Sequence, residues 1–236
     1  MATIPYNIHA LDDPFYRSSD GKPMADSTQQ YEWIVAIKGG LGTLFEANPN
    51  ILVVGNLFWY PVEGNNKIRT TPDAMVIFGR PSGHRGSYIQ YREEGVAPHV
   101  VFEVLSPGNR AGEMRRKLAF YEQYGVEEYY ILDPDHPKHR GYLREGDRLV
   151  PIADLWGWTS PRLGVRFEMT DELRIIGPDG RRFEYYEVEA RGRRIAEQEA
   201  EANRQWAEAE RQGREAERED NERLRAKLRE LGIKLD

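Results

Sequence analysis

The stretch VVFEVLSP at residues 100–107 decides the fold. Five of its first six residues are apolar, and valine, phenylalanine and leucine make up all five, which predicts a strand buried on both faces. One carboxylate, Glu103, lies in the middle of this run. Because a buried charge is costly unless it is paired or binds a metal, Glu103 is the first candidate functional residue. Pro107 and Gly108 end the strand.

A second apolar run, upstream of the first, also carries an acid. Residues 72–78 read PDAMVIF, which places Asp73 at the mouth of another predicted strand. Downstream of Glu103, a basic helix is predicted to begin at residue 109 or 110. Its basic residues are Arg110, Arg115, Arg116 and Lys117. Two strands with one acid each, followed by such a helix, are typical of a site that holds a divalent cation against a phosphate.

Length and composition limit the functions that the chain can have. The chain has 236 residues, no cysteine and a formal net charge of −6 at pH 7. The length suits one ordinary domain with an extension, and the lack of cysteine excludes disulfides and thiolate metal sites. The acidic balance excludes a protein that grips nucleic acid over its whole surface, so we expect any such contact to be local and salt-dependent.

The sequence gives no sign of a membrane segment. No apolar run approaches the roughly 20 residues of a membrane span. Residues 1–10 lack the basic start and apolar core of a signal peptide. We therefore expect a soluble, cytoplasmic protein.

Composition divides the chain into three predicted segments. Residues 1–25, with three prolines and little periodicity, predict an extended arm, and residues 26–186 predict an α/β domain. Residues 187–236 are dominated by Glu, Arg, Ala and Gln, which predicts a long charged helix. Only its leucine-rich end, from residue 224 to residue 235, has the spacing of a coiled-coil seam. The pattern fits either a solvated single helix or a coiled coil that forms a homodimer.

Within the predicted domain, helical and strand patterns alternate. Ser27 and Gln30 fit a capping box, and apolar spacing behind them predicts a helix that ends near residue 48. Residues 51–60 predict either one interrupted strand or a hairpin. Further strands are predicted at residues 128–132, 140–144, 148–152 and 164–168, and Gly146 with Asp147 predicts a hairpin turn.

The acids and the helix-borne lysine suggest hydrolytic chemistry. Mg²⁺, or Mn²⁺ in its place, takes oxygen ligands and is commonly held by one or two carboxylates. Such a cation polarises a phosphate and lowers the pKa of a bound water. Lys117 could orient the attacking water and stabilise developing charge.

Four motifs in order carry a family resemblance. They are PD at residues 72–73, FEVLSP at 102–107, Lys117 with Tyr121, and GVEEYYILDP at 125–134. Over about residues 27–170 the chain resembles the Uma-type family of bacterial restriction endonucleases, in the PD-(D/E)xK nuclease superfamily. The resemblance implies a mixed sheet of four or five strands flanked by helices, DNA as substrate, and a metal held by Asp73, Glu103 and the backbone carbonyl of Val104.

The chain departs from the superfamily pattern at one position. Leu105 stands where the superfamily lysine is expected, two residues after Glu103. In the resembling family the lysine comes from the following helix, and Lys117 is the matching residue. The auxiliary candidates are Glu113, one helical turn before Lys117, Glu46 at the end of the first helix, and Asn56 after Gly55.

Structural roles compete with these functional ones. Asp73 is also a common residue type at a strand-start turn, and Glu103 could be satisfied by a salt bridge to Arg110 or Lys117 alone. Arg110, Arg115 and Arg116 are predicted either to contact phosphate or to face solvent. His136 and His139 fit a surface loop better than a zinc site, because prolines surround them.

Two functions follow from these patterns. The first is a Mg²⁺-dependent DNA endonuclease in which Asp73 and Glu103 hold the metal and Lys117 assists the water. The alternative is a catalytically silent binding or assembly module on the same fold, whose charged C-terminal helix recruits a partner.

Overall fold

The computed structural model describes residues 15–18, 25, 27–108, 111–170 and 173–184, together with Arg204, Arg211 and Arg214. The chain divides into two units, residues 1–186 and 187–236. In the second unit only the three single arginines are described, and each is helical. Most of the predicted N-terminal arm, Arg110, and the predicted coiled-coil seam therefore lie outside the described residues.

Two helices and ten strands make up the described part of the first unit. In chain order they are α1 (Thr28–Leu44), β1 (Ile51–Gly55), β2 (Trp59–Tyr60), β3 (Ala74–Phe78), β4 (Tyr88–Ile89), β5 (Val100–Val104), α2 (Ala111–Gln123), β6 (Glu128–Leu132), β7 (Arg140–Glu145), β8 (Arg148–Pro151), β9 (Arg166–Met169) and β10 (Leu173–Ile176). A 3-10 helix at Gln90–Glu93 follows β4. No helix among the described residues is both long and apolar enough to cross a membrane.

A six-stranded mixed sheet forms the centre of the domain, in the order β1-β3-β5-β6-β7-β8. β5 and β6 are parallel, and the other neighbouring pairs are antiparallel. The parallel pair needs a crossover, which α2 supplies between the two strands. The predicted α/β fold is confirmed. The main sheet has six strands, however, and not the four or five that the resemblance implies, because the β7–β8 hairpin extends it.

Each face of the sheet carries its own apolar layer. Along β5, Val100, Phe102 and Val104 pack with α1, β9 and β10, whereas Val101 packs with α2. Successive side chains of a strand point to opposite faces. Glu103 therefore points to the face that α2 covers, and that face sets its partners.

Helix α1 begins as the sequence predicts and packs along one stripe. The Ser27 side chain accepts a hydrogen bond from the Gln30 backbone N–H at 3.1 Å, and the stripe of Ile34, Ile37 and Leu41 is buried against the sheet. A Cβ added at Gly40 would lie 2.2 Å from the Phe183 ring. Gly40 therefore allows close approach of the chain that follows β10.

The prediction of one strand or a hairpin over residues 51–60 is wrong. β1 pairs with β3 antiparallel, whereas β2 pairs with β4 in parallel in a separate two-stranded sheet. Asn56, at a left-handed φ of 49°, turns the chain between them. The predicted hairpin turn at Gly146 and Asp147 is confirmed, since β7 and β8 pair around it with Gly146 at φ 58°.

Candidate metal and catalytic site

Glu103 is the centre of a polar cluster under α2. Glu103 is only 2% exposed to solvent. Lys117 Nζ lies 2.7 Å from Glu103 Oε2, and this lysine also reaches the Thr71 carbonyl at 3.5 Å. Lys117 is on α2, which packs on the face of the sheet to which Glu103 points. A buried carboxylate in an apolar strand thus has the cationic partner that it requires.

The charge of Lys117 is favoured by its neighbours. Burial alone opposes the charged amine, but the carboxylates of Glu103 and Asp73 outweigh it and raise the pKa of Lys117 above its ordinary value. Glu113, one turn earlier on α2, acts in the same direction. Lys117 is therefore a fixed cation at neutral pH and a poor general base in this state.

Tyr121 holds the other oxygen of Glu103. Its hydroxyl donates a short hydrogen bond to Glu103 Oε1. The ring is fully buried and stacks on Trp59, with the two planes only 4° apart. Burial and the charge of Glu103 raise the pKa of Tyr121, so the hydroxyl keeps its proton and remains a donor.

Asp73 joins the cluster from the residue before β3. Its Oδ2 accepts a hydrogen bond from the Val104 backbone N–H at 2.7 Å, and its carboxyl group lies near enough to that of Glu103 for the two charges to act on each other. Burial raises the pKa of Asp73 to about 8, with the nearby charge of Glu103 adding to the effect. In the absence of a cation, the site therefore favours a proton on Asp73.

The backbone carbonyl of Val104 faces α1. Gln30, in the first turn of α1, donates its side-chain Nε2 to this oxygen at 2.8 Å, and the contact is buried. Its neighbour Gln29 donates to the Pro134 carbonyl at 3.1 Å. The N-terminal end of α1 is thus tied to the ends of both parallel strands.

The donor set of this cluster fits a hard divalent cation. Asp73 and Glu103 bring two buried carboxylates together, and one proton or one cation would relieve their repulsion. The carbonyl of Val104, the residue after Glu103, can accept a second bond besides that from Gln30 and would be a third oxygen ligand. Among the described residues, no group of three or more His, Cys, Asp or Glu side chains is arranged to hold a metal. Any metal ligand beyond the two acids would therefore be backbone, amide or water.

One comparison with known proteins gives a family for the chain. A family model described as "Uma2: Putative restriction endonuclease" matches residues 36–172, more than half of the chain. The chain belongs to the Uma2 family. The acid pair and Lys117 all lie within the matched part, and membership makes nucleic acid the substrate class of the family.

Structural comparison gives a more distant likeness. The Uma2 chain is similar to the crystal structure of "a putative nuclease belonging to DUF820" from Anabaena variabilis ATCC 29413, with 14% identity and a TM-score of 0.44. The likeness covers 61% of this chain and 79% of that one. No curated protein sequence matches the Uma2 chain.

The other predicted site residues of the Uma2 chain differ in burial and in their contacts. Glu113 is half-buried and acts on Lys117, whereas Arg115 and Arg116 are exposed on α2. The Asn56 backbone N–H donates to the Asp73 carbonyl at 3.1 Å, so this residue supports the turn beside the acid. Arg110 lies outside the described residues.

Glu46 is not brought to the acid pair. It is exposed beyond the C-terminal end of α1. The opposite end of α1 contacts Val104, and the helix separates the two ends by about 20 Å.

The prediction that His136 lies in a surface loop, and not in a zinc site, fits the structure. That histidine is exposed, and its ring contacts Asp133 at 3.3 Å.

Sequence reasoning missed two functional contacts of the Uma2 chain. Gln30 was assigned to a capping box, although its buried side chain reaches the Val104 carbonyl. The motif that pairs Lys117 with Tyr121 gives the tyrosine no role of its own, although its hydroxyl bonds to Glu103. A tyrosine four residues after Lys117 lies on the same helix face, and this spacing is the signal that could have identified it.

Proposed function

We propose that this Uma2-family chain is a divalent-metal-dependent endonuclease that hydrolyses phosphodiester bonds of DNA. The observation that carries the proposal is a pair of buried carboxylates that act on each other, Asp73 and Glu103, with the ammonium group of Lys117 bonded to the second. Family membership supports the reaction class. The metal, its ligands and the DNA substrate are part of the proposal.

Mg²⁺ or Mn²⁺ would be held by the two acids and the Val104 carbonyl. Such a cation, when bound, polarises a phosphate and lowers the pKa of a water molecule. The Val104 backbone N–H orients Asp73, and Tyr121 orients Glu103. Because hydrogen bonds to the ligands fix their direction, these contacts would tune the affinity of the site.

Lys117 would stabilise the negative charge that develops on the phosphate. Its ammonium group is already in place, so no charge needs to be moved into the site during the reaction. The glutamate that holds it, Glu103, would also be a metal ligand, which couples the position of the lysine to that of the metal. The raised pKa of Lys117 supports an electrostatic role over that of a base.

Cleavage of supercoiled plasmid DNA in Mg²⁺ or Mn²⁺ tests the proposal. The wild-type chain is expected to convert the plasmid to nicked and linear forms, and EDTA to stop it. Asp73→Ala should abolish cleavage, whereas Glu46→Ala, which removes an exposed acid far from the site, should cleave normally. Metal-independent cleavage, or equal cleavage by wild type and Asp73→Ala, would refute the proposal.

A second candidate function is a catalytically silent binding or assembly module on the same fold. It is favoured by the contacts of Glu103, whose two oxygens already accept from Lys117 and Tyr121. The Val104 carbonyl is likewise already bonded to Gln30. Such a module would bind nucleic acid or a partner without binding metal at the acid pair, and a metal titration separates the two functions.

The proposal has two further parts that follow from sequence alone. Residues 187–236 would join two copies of the chain into a homodimer, and the protein would work in the cytoplasm. Light scattering of the full chain, compared with a chain ending at residue 186, tests the first part: the shorter chain should be monomeric.

A further inference from the structure

Residues 69–72 form a wall of the candidate site. Thr70 makes a two-way backbone bridge with Trp59, with bonds of 2.9 and 3.2 Å, and the Trp59 ring stacks on Tyr121. The next carbonyl, of Thr71, lies 3.5 Å from Lys117 Nζ. The backbone that leads into Asp73 is therefore fixed to the residues that hold Glu103.

Arg69 begins this wall, and its guanidinium group is held in one orientation. Its Cζ lies 4.8 Å from the centre of the Phe58 ring and 6.0 Å from that of Tyr60. One N–H donates to the Asn66 carbonyl at 3.3 Å. Both rings are buried, so the arginine is stacked on a rigid aromatic surface.

No carboxylate pairs with Arg69 among the residues that the structure describes. Other arginines of the domain do have such partners: Arg85 pairs with Glu93 and Arg162 with Glu127. The Arg69 donors without a partner are not buried either. In the described part of the chain, the buried side-chain polar atom that lacks a hydrogen-bond partner belongs to another residue, Nε of Arg174. Arg69 therefore presents an oriented cation with donors open to solvent.

An oriented guanidinium with free donors suits a phosphate group. Its planar fork bonds two phosphate oxygens at once, and stacking on an aromatic ring leaves that fork available. Two Cα steps separate Arg69 from Thr71, which limits the distance between their backbones to about 7 Å. A phosphate bound at Arg69 would thus be held by the same short segment of chain that borders Lys117.

We propose that Arg69 binds a backbone phosphate of the nucleic-acid substrate, next to the phosphate that is cleaved at the acid pair. The proposal rests on the proposed function only for the identity of that second phosphate. Arg69 would fix the strand in register without reading its sequence, because phosphate contacts position a nucleic acid and base contacts specify it.

Binding measured without cleavage tests this role. Fluorescence anisotropy of a labelled DNA duplex is recorded in Mg²⁺ over a series of salt concentrations, with every protein carrying Asp73→Asn to prevent turnover. Adding Arg69→Ala should weaken binding about tenfold at low salt and reduce the slope of log K against log salt by about 0.9, as expected for one lost phosphate contact. Arg181→Ala, which removes an exposed arginine elsewhere in the domain, should change neither.

Arg69→Lys separates a phosphate contact from a structural one. Lysine keeps the positive charge over the Phe58 ring but lacks the planar guanidinium that bonds two phosphate oxygens at once. Binding should therefore weaken, while the salt slope stays near that of the protein with Asp73→Asn alone. Thermal melting of each variant verifies folding. Equal affinity and slope for Arg69→Ala and Arg181→Ala, or no duplex binding by the parent at low salt, would overturn the proposal.

The outcomes also separate this inference from the proposed endonuclease. Binding that depends on Arg69, in a chain whose wild type does not cleave, would support the phosphate contact and refute the enzyme. Cleavage by the wild type, with binding unaffected by Arg69→Ala and by Arg69→Lys, would refute the phosphate contact and leave the enzyme.

Discussion

Lys117 Nζ lies 2.7 Å from Glu103 Oε2, although the lysine is on a helix and the glutamate on a buried strand. The side chain of Glu103 is 3% exposed and that of Lys117 is 19% exposed. Because so little solvent reaches this ion pair, the stability of the fold depends on both partners. Either charge left alone would be buried without a compensating charge.

Removal of the lysine should therefore destabilise the domain. Lys117→Met leaves Glu103 without its cation, and breaking a buried pair in this way costs about 3–5 kcal/mol. Urea unfolding measures the loss, and Lys138→Met, at an exposed lysine, should stay within about 0.5 kcal/mol of wild type. Adding Glu103→Gln to Lys117→Met should recover part of the stability. A loss no larger than that of Lys138→Met would argue against a buried ion pair.

The Tyr121 hydroxyl should matter more than that of a neighbouring tyrosine. Tyr121→Phe removes the hydrogen bond to Glu103 and is expected to cost about 1.5–3 kcal/mol, the range for a bond to a charged group. Tyr129→Phe is the matched control, since within the described part of the chain that buried hydroxyl makes a weak hydrogen bond to the Met114 sulfur, at 3.9 Å. Urea unfolding and the cleavage rate should fall together for Tyr121→Phe. Equal effects of the two substitutions would contradict the orienting role of Tyr121.

The acid pair predicts a pH dependence of stability in the absence of metal. Asp73 has a pKa of about 8 in the folded chain, against an ordinary value of 3.8, so the folded state binds its proton more tightly than the unfolded state. Stability should then fall as the pH rises from about 4 to about 8, by at most about 1.4 kcal/mol per pH unit. Lys117 does not titrate in this window because its pKa is raised.

Asp73→Asn isolates this effect. Asparagine resembles the protonated acid, so the difference in unfolding free energy, wild type minus Asp73→Asn, should decrease from pH 5 to pH 8 in EDTA. Urea unfolding at several pH values measures it. A difference that does not change with pH would show that Asp73 is ionised throughout and would contradict the described environment of the acid.

Gln30 should be important although it lies outside the matched family region. Gln30→Ala leaves the buried Val104 carbonyl without this donor, which is expected to cost about 1–3 kcal/mol. If that carbonyl is a metal ligand, the metal affinity should also fall about 10–100-fold. Gln29→Ala is the control, because it removes an exposed bond to the Pro134 carbonyl. Metal affinities that are equal in the two variants would remove Val104 from the proposed ligand set.

Sequence patterns identified the centre of the site because its chemistry is local. An acid inside the apolar strand at residues 100–104 required a partner, and in the structure the following helix supplies it. Lys117 followed from the order of motifs along the chain. The inference for Glu103 needed only periodicity and the cost of burying a charge, whereas that for Lys117 also needed the family resemblance.

The contacts that the sequence analysis missed join residues far apart in the chain, and local sequence patterns do not reveal such pairings. Gln30 reaches Val104 across the 74 residues that separate them, and nothing in its local pattern distinguishes it from a capping residue. The failure at residues 51–60 has a similar cause. β1 and β2 are adjacent in the chain, yet each finds its partner in a different sheet, and long-range pairing overrides the local hairpin pattern.

Isothermal titration calorimetry with Mn²⁺ or Mg²⁺ tests the central claim most directly. Wild type should bind the cation at one site, with protons released on binding because Asp73 gives up its proton. Asp73→Asn and Glu103→Gln should each lose that binding, whereas Glu46→Gln should retain it. Equal titrations of wild type and Asp73→Asn, or no heat from either, would contradict a metal site at the acid pair.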